Sequence, residues 1–171
     1  MQLLRADRSM VLRGLLGAAF ALFSVAAAAA TDGGAAGHDT DTVALPAFPR
    51  AAGLLPVPLD LPDFDFRLSI DPAALRVDNG VVRYTVVLTS PSGARNVFYE
   101  GVNCISGRYK RYAYGTSDGH FARFPDARWK RIFDSGDGRY RYQFYNFFLC
   151  NPTAGALPRH QILQRIRYQS R

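Results

Sequence analysis

Val81-Val82-Arg83-Tyr84-Thr85-Val86-Val87-Leu88-Thr89 and Asn96-Val97-Phe98-Tyr99-Glu100-Gly101-Val102-Asn103-Cys104 decide the fold. Both runs are rich in β-branched and aromatic residues, which suit a pleated, half-buried surface better than a helix. In the first, Val82, Tyr84, Val86 and Leu88 share one face, the period of two that marks a strand. Pro91-Ser92-Gly93-Ala94 between the runs supplies turn residues, so they read as an antiparallel pair. Working outward, Asp78-Asn79-Gly80 offers the Asn-Gly signal of a tight hairpin on the upstream side. Ser106-Gly107 turns the chain downstream into a third strand, Arg108 to Tyr114. With Cys104 opposite Arg108, Val102 faces Lys110, Glu100 faces Tyr112 and Phe98 faces Tyr114.

Further out, Phe64, Phe66, Leu68 and Ile70 alternate with polar residues as another strand, expected to stop at Asp71-Pro72, after which Leu75 and Val77 lead into the Asn79-Gly80 turn. Phe121 and Phe124 suggest a short strand after Ser117-Asp118-Gly119. Trp129 and Ile132 are expected to be extended or in one short turn, before the Gly-rich stretch Asp134 to Gly138. Tyr140, Phe144, Phe147 and Phe148 recur at spacings of three and four, which predicts a helix from about Tyr140 to Cys150 with an aromatic stripe. A strand is the rival reading, because the segment is aromatic-rich and alternates in places. Pro158 is placed to begin a second helix with Ile162, Leu163 and Ile166 on its buried face and Arg159, Arg165 and Arg167 outward. The expected fold is α+β: an antiparallel sheet of about five strands packed with two C-terminal helices, as a single domain over residues 63 to 171.

The chain begins with Arg5, Arg8 and Arg13 ahead of an uncharged run from Gly14 to Ala30 that ends in Ala28-Ala29-Ala30, the order of a cleavable signal peptide. Residues 1 to 30 are therefore expected to be an export signal, giving a periplasmic or secreted protein of the cell envelope. No cysteine stands near residue 30 to accept a lipid, and Arg8 and Arg13 are not adjacent as a twin-arginine signal requires. Residues 31 to 62, with Gly33, Gly34, Ala35, Ala36 and Gly37, then Pro46, Pro49, Pro56, Pro58 and Pro62, are expected to be a flexible tail followed by a Pro-rich extended arm. The formal net charge of the whole chain is +7. Without three signal arginines and Asp7 it is +5, divided as −5 over residues 31 to 80 and +10 over residues 81 to 171. An exported protein meets no nucleic acid, so the basic half points to lipopolysaccharide, anionic lipid or peptidoglycan, or is an ordinary solvated surface.

Cys104 and Cys150 are the only cysteines. In an oxidising compartment they read as a structural disulfide, worth roughly 4 kcal/mol of denatured-state restriction for this loop length. Neither His120 nor His160 has ligand-like spacing to them, so no metal or other cofactor is expected. Glu100 is the one glutamate in the chain and shares a face with Phe98 and Val102. A carboxylate turned inward needs a partner, which Arg108, Lys110 or Tyr112 could supply, or else Gly101 marks a bulge that swings it into solvent. Ser117, Asp118 and His120 lie within four positions, too close to converge on one substrate as a triad, and read as a capped turn. Arg108, Lys110, Arg111, Tyr112 and Tyr114 interleave cations with rings, as do Arg139-Tyr140-Arg141-Tyr142. The first five are the candidate ligand-binding residues, for a glycan or lipid headgroup, against the alternative of ordinary sheet surface.

Val82-Arg83-Tyr84, the Ser90 to Asn96 turn, Tyr99-Glu100-Gly101 with Cys104, Tyr112-Ala113-Tyr114-Gly115, Asp118-Gly119, Trp129 and Cys150, with the looser Leu45-Pro46, Phe48-Pro49 and Leu54-Leu55, resemble the CNP1-like family. The chain departs from that pattern at His120-Phe121, where a tryptophan is expected, and ahead of Leu45. The resemblance implies a small exported protein of Gram-negative bacteria and assigns no catalytic residues. The expected function is a non-catalytic binding or envelope-maintenance module with a basic, Tyr/Arg-rich face. The alternative is a hydrolase of an envelope polymer using Glu100 with an Asp as its acid/base pair.

Overall fold

A computed structural model describes residues 43–133 and 138–168. The expected signal peptide, the tail through Thr42 and most of the Gly-rich stretch after Phe133 lie outside the described residues. The backbone is a meander. Strands β1 (Leu55–Pro56), β2 (Arg67–Asp78), β3 (Val81–Thr89), β4 (Arg95–Asn103), β5 (Arg108–Gly115) and β6 (Phe121–Arg123) pair antiparallel in that order, and β7 (Lys130–Arg131) pairs with the start of β5. This sheet has two more strands than expected, β1 and β7, each two residues long and too short to show a period in sequence.

The β2–β3 hairpin closes through Asn79 (φ 48°) and Gly80 (φ 75°), the paired positive angles that this two-residue turn demands. Upstream of it the expectation was wrong: β2 does not stop at Asp71-Pro72 but runs on to Asp78 across an irregularity between Asp71 and Arg76. Side chains satisfy the backbone that leaves the ladder there. Asp71 accepts from the Ala73 N–H, Arg76 donates to the carbonyls of Ala73 and Leu75, and Arg159 donates to those of Pro72 and Leu75.

The β4–β5 pairing also differs from the expected register. Asn103 faces Arg108, Val102 faces Tyr109 and Glu100 faces Arg111, whereas Phe98 faces Tyr114 as expected. A four-residue connection, Cys104 to Gly107, shifts the first half by one, and Tyr112 is the extra residue of a β-bulge that restores the second half. The bulge has a chemical consequence: it puts Arg111, not Tyr112, on the same face as Glu100.

That face carries the main core. Val82, Tyr84, Val86 and Leu88 of β3 with Leu68, Ile70 and Val102 pack against helix α1 (Arg139–Phe144), a following turn of π-helix (Tyr145–Leu149) and helix α2 (Arg159–Tyr168). The segment from Arg139 to Leu149 is thus helical, not a strand. Its buried stripe is Tyr140, Phe144, Phe148 and Leu149, while Phe147 is 53% exposed because the wider π-turn rotates it outward. Helix α2 buries Ile162, Leu163 and Ile166 as its spacing predicts. The disulfide Cys104–Cys150 ties the end of β4 to the end of the π-turn, where β8 (Cys150–Asn151) pairs with β9 (Gly155–Ala156). The opposite face of the sheet holds a second cluster, Tyr99, Tyr112 and Ala113, covered by Val43 and Leu45 of the arm and by Phe121. Among the described residues no helix is long and apolar enough to cross a membrane.

Candidate functional site

Glu100 sits at the middle of β4 on the helix-covered face and is completely buried. Four side chains from three elements converge on it. Arg141, from the first turn of α1, grips both oxygens, Nε donating to Oε2 at 2.9 Å and a terminal amino group to Oε1. Arg111 of β5 donates Nε–H to Oε1 at 2.9 Å. The hydroxyl of Tyr140 lies 3.2 and 3.3 Å from the two oxygens, and that of Tyr84 lies 3.4 Å from Oε2. The Arg141 guanidinium is sandwiched between rings, 4.4 Å from the centroids of both Tyr109 and Tyr140.

Burial alone would raise the Glu100 pKa, but the charges and hydrogen bonds of Arg141 and then Arg111 outweigh it and hold the carboxyl below its ordinary range. Arg141 answers in kind: burial works against its charge, yet Glu100 raises its pKa on balance. Burial first, and the Glu100 charge second, also keep the phenols of Tyr84 and Tyr140 protonated as donors. One carboxylate against two guanidiniums leaves the cluster with an excess positive charge.

That excess reaches the surface through one residue. Arg141 is buried, whereas the Arg111 side chain is 34% exposed, with its guanidinium 4.3 Å above the ring of Phe98. It floors a cleft of about 450 Å³, within the range of small-ligand sites. Asp63, Phe64, Asp65 and Phe66 form one wall; Leu88, Asn96, Phe98 and Tyr140 complete it. Helix α1 fixes the wall in place, since Arg139 donates to the carbonyl of Pro62 and Gln143 to that of Asp60. A guanidinium has five N–H donors, of which Glu100 takes one from Arg111 and the Tyr140 hydroxyl another, so donors remain for a ligand in the cleft.

The structure divides the five residues marked out in sequence. Arg108 is exposed at the end of β5, directly opposite Arg131 of β7. Lys110 and Tyr112 are buried on the far side of the sheet, with the ammonium 5.5 Å from the Tyr112 ring centroid. Tyr114 is 37% exposed and packs edge-on against Phe124. Arg111 alone enters the cleft. Glu100 is paired, but by Arg111, Arg141, Tyr140 and Tyr84 rather than by Arg108, Lys110 or Tyr112, and Gly101 does not swing it outward. Gly101 is instead a close-approach position, where a Cβ would lie 2.8 Å from the Tyr112 hydroxyl. Ser117, Asp118 and His120 occupy an exposed turn in which the Gly119 N–H bonds to the Thr116 carbonyl and Asp118 pairs with His120 at 3.3 Å.

Sequence reading missed Arg141, Tyr140 and the Asp63–Phe66 wall. A signal for Arg141 existed: an inward carboxylate requires a cation, and Arg141 follows the first ring of the aromatic stripe. Glu100 is buried, bonded by four side chains and held below its ordinary range, so at neutral pH it is a carboxylate that carries no proton to donate. Among the described residues no group of three or more His, Cys, Asp or Glu is placed to hold a metal ion.

A sheet meander under two C-terminal helices, stapled by one disulfide and built around a glutamate on the third long strand, is the architecture defined so far. The CNP1-like family model matches residues 36–167, most of the chain, and the protein belongs to that family. No curated protein and no solved structure matches it.

Proposed function

We propose that this protein is an exported, non-catalytic binding module of the cell envelope, and that the cleft over Arg111 holds an anionic group of its ligand. The observation that carries the reading is the half-exposed Arg111 guanidinium, locked from below by the buried Glu100 and from the side by Phe98. A cation held in one orientation loses little freedom on binding, which makes it a better anion receptor than a free surface arginine. The basic corner formed by Arg108, Lys130 and Arg131 lies on the same half of β5 and would draw anionic surfaces toward the molecule. Phosphate-bearing lipids and lipopolysaccharide are the envelope components with this chemistry. Export is supported by the order of charge and hydropathy in residues 1 to 30, and an intact mass of the periplasmic protein lacking that segment is the expected result.

The binding reading is tested by titrating the protein with inorganic phosphate while following backbone amide shifts. Saturable shifts centred on Phe98 and Arg111, lost in Arg111→Gln, are expected. Arg141 keeps its double hold on Glu100 in that variant, so the fold is retained and the loss reports on binding. Shifts that are absent, or unchanged in Arg111→Gln, would refute it.

A further inference from the structure

The cleft that presents Arg111 is also lined by two acidic residues, Asp63 and Asp65, of the exposed segment entering β2. A plain anion seated on Arg111 would share the cleft with two acidic residues, and a plain cation beside those would share it with Arg111. We infer that the ligand is zwitterionic: a phosphate ester carrying an ammonium group on a short linker, its phosphate on Arg111 and its ammonium at the acidic wall. This rests on the anion-binding reading of Arg111 given above and extends it.

Two further observations point to the ammonium end. The first is aromatic. Phe66, Phe64 and Tyr140 follow one another around the cleft, with ring centroids 5.7 Å and 6.0 Å apart and planes tilted by 48° and 36°. Tilted rings beside a carboxylate are the arrangement that attracts an ammonium, methylated or not, through the negative ring faces. The second is backbone geometry. The Phe64 N–H bonds to the Leu61 carbonyl, closing a turn with Pro62 second and Asp63 third, and Asp63 is held at φ 59°. Glycine suits that position best, since φ is positive there. Asp tolerates such an angle, so the turn sets Asp63 on the rim of the cleft, and Arg139 braces it through Pro62.

The test is calorimetric titration of the full-length protein with four probes at one pH and ionic strength: phosphoethanolamine, phosphocholine, inorganic phosphate and choline. At least one of the two zwitterions should bind about tenfold more tightly than phosphate, the gain expected of an ammonium in an aromatic, acidic corner. Asp63→Asn with Asp65→Asn should bring that zwitterion down to the affinity of phosphate without weakening phosphate itself. Asn tolerates positive φ as Asp does, so the variant retains the turn, and its thermal transition checks this. Zwitterions binding no more tightly than phosphate would overturn the inference while leaving the anion reading intact. No binding of phosphate or of either zwitterion would overturn both. Retention on phosphatidylethanolamine vesicles, released by soluble phosphoethanolamine, would assign the headgroup to a lipid; binding of the soluble ester without vesicle retention would assign it to a free phosphate ester.

Discussion

Replacing Glu100 by Gln removes one negative charge from a completely buried site and leaves nearly every atom in place. Arg141 then stands in the core with its guanidinium still charged and without its counter-ion. Breaking a buried, hydrogen-bonded ion pair by removing one partner costs about 3–5 kcal/mol, because the surviving charge cannot recover its hydration. The upper part of that range applies here, since the carboxylate receives two bonds from Arg141 and one from Arg111, with two tyrosine hydroxyls besides. A domain of this size has a total stability of about 5–15 kcal/mol, so the single change removes a large share of it. At roughly 3 °C per kcal/mol, the thermal midpoint should fall by about 10 °C or more. Urea denaturation of the disulfide-intact protein gives the free energy directly. Glu100→Leu combined with Arg141→Met is the control: removing the unpaired buried charge should recover part of the loss, and not all of it, because the buried Tyr84 and Tyr140 hydroxyls and Arg111 still lose their acceptor. A Glu100→Gln protein within about 1 kcal/mol of wild type would refute the reasoning, because that is the worth of a solvent-screened surface pair.

The depressed Glu100 pKa sets an acid limit. A carboxyl whose folded value lies below its ordinary 4.5 contributes stability that is complete above that value and is lost as pH falls through the lower folded value; Glu100→Gln should flatten this acid limb in a stability-versus-pH series. Cys104→Ser should lower stability by roughly 4 kcal/mol, with non-reducing peptide mapping showing the Cys104–Cys150 link in wild type; equal melting with and without reductant would contradict it. Gly101→Ala should cost about 1–3 kcal/mol, because its Cβ meets the Tyr112 hydroxyl at 2.8 Å, and a neutral result in thermal melting would show that the ring moves freely. Replacing Arg108, Lys130 and Arg131 by Ser should reduce retention on anionic vesicles at low salt, an effect screened over about 8 Å at physiological ionic strength, while phosphate binding at Arg111 stays unchanged.

What sequence made legible follows local rules. The meander could be read because its strands alternate and its turns are marked by Asn79-Gly80 and by the Pro91 to Ala94 connection, and α2 because Ile162, Leu163 and Ile166 repeat at helical spacing. The β4–β5 register could not, since a bulge at Tyr112 is a tertiary compromise that no pattern in Arg108 to Tyr114 announces. Pro72 was read as a terminator because it lacks an N–H, yet Asp71, Arg76 and Arg159 supply the partners that let β2 continue. Two of these three are local, but Arg159 comes from the far end of the chain and cannot be anticipated by any window.

The cleft was hidden for the same reason. Arg139-Tyr140-Arg141-Tyr142 reads as a basic, aromatic surface, but the helix turns it edge-on to the sheet. Arg139 reaches the arm, Tyr140 and Arg141 go into the core, and Tyr142 remains 41% exposed. One short helix turn thereby performs three tasks: it neutralises Glu100, lines the cleft with the Tyr140 ring and braces the acidic wall through Pro62. Arg111 is oriented only because Arg141 has already brought the carboxylate to rest, and the aromatic wall is in reach of Arg111 only because Arg139 holds the arm. A change at any of the three positions should therefore be felt at the other two, in proportion to how deeply each is buried. Arg139→Ala should loosen the wall with little loss of global stability. Arg141→Ala should cost about 3–5 kcal/mol of global stability, because only Arg111 and the two tyrosine hydroxyls are then left to hold the buried charge of Glu100.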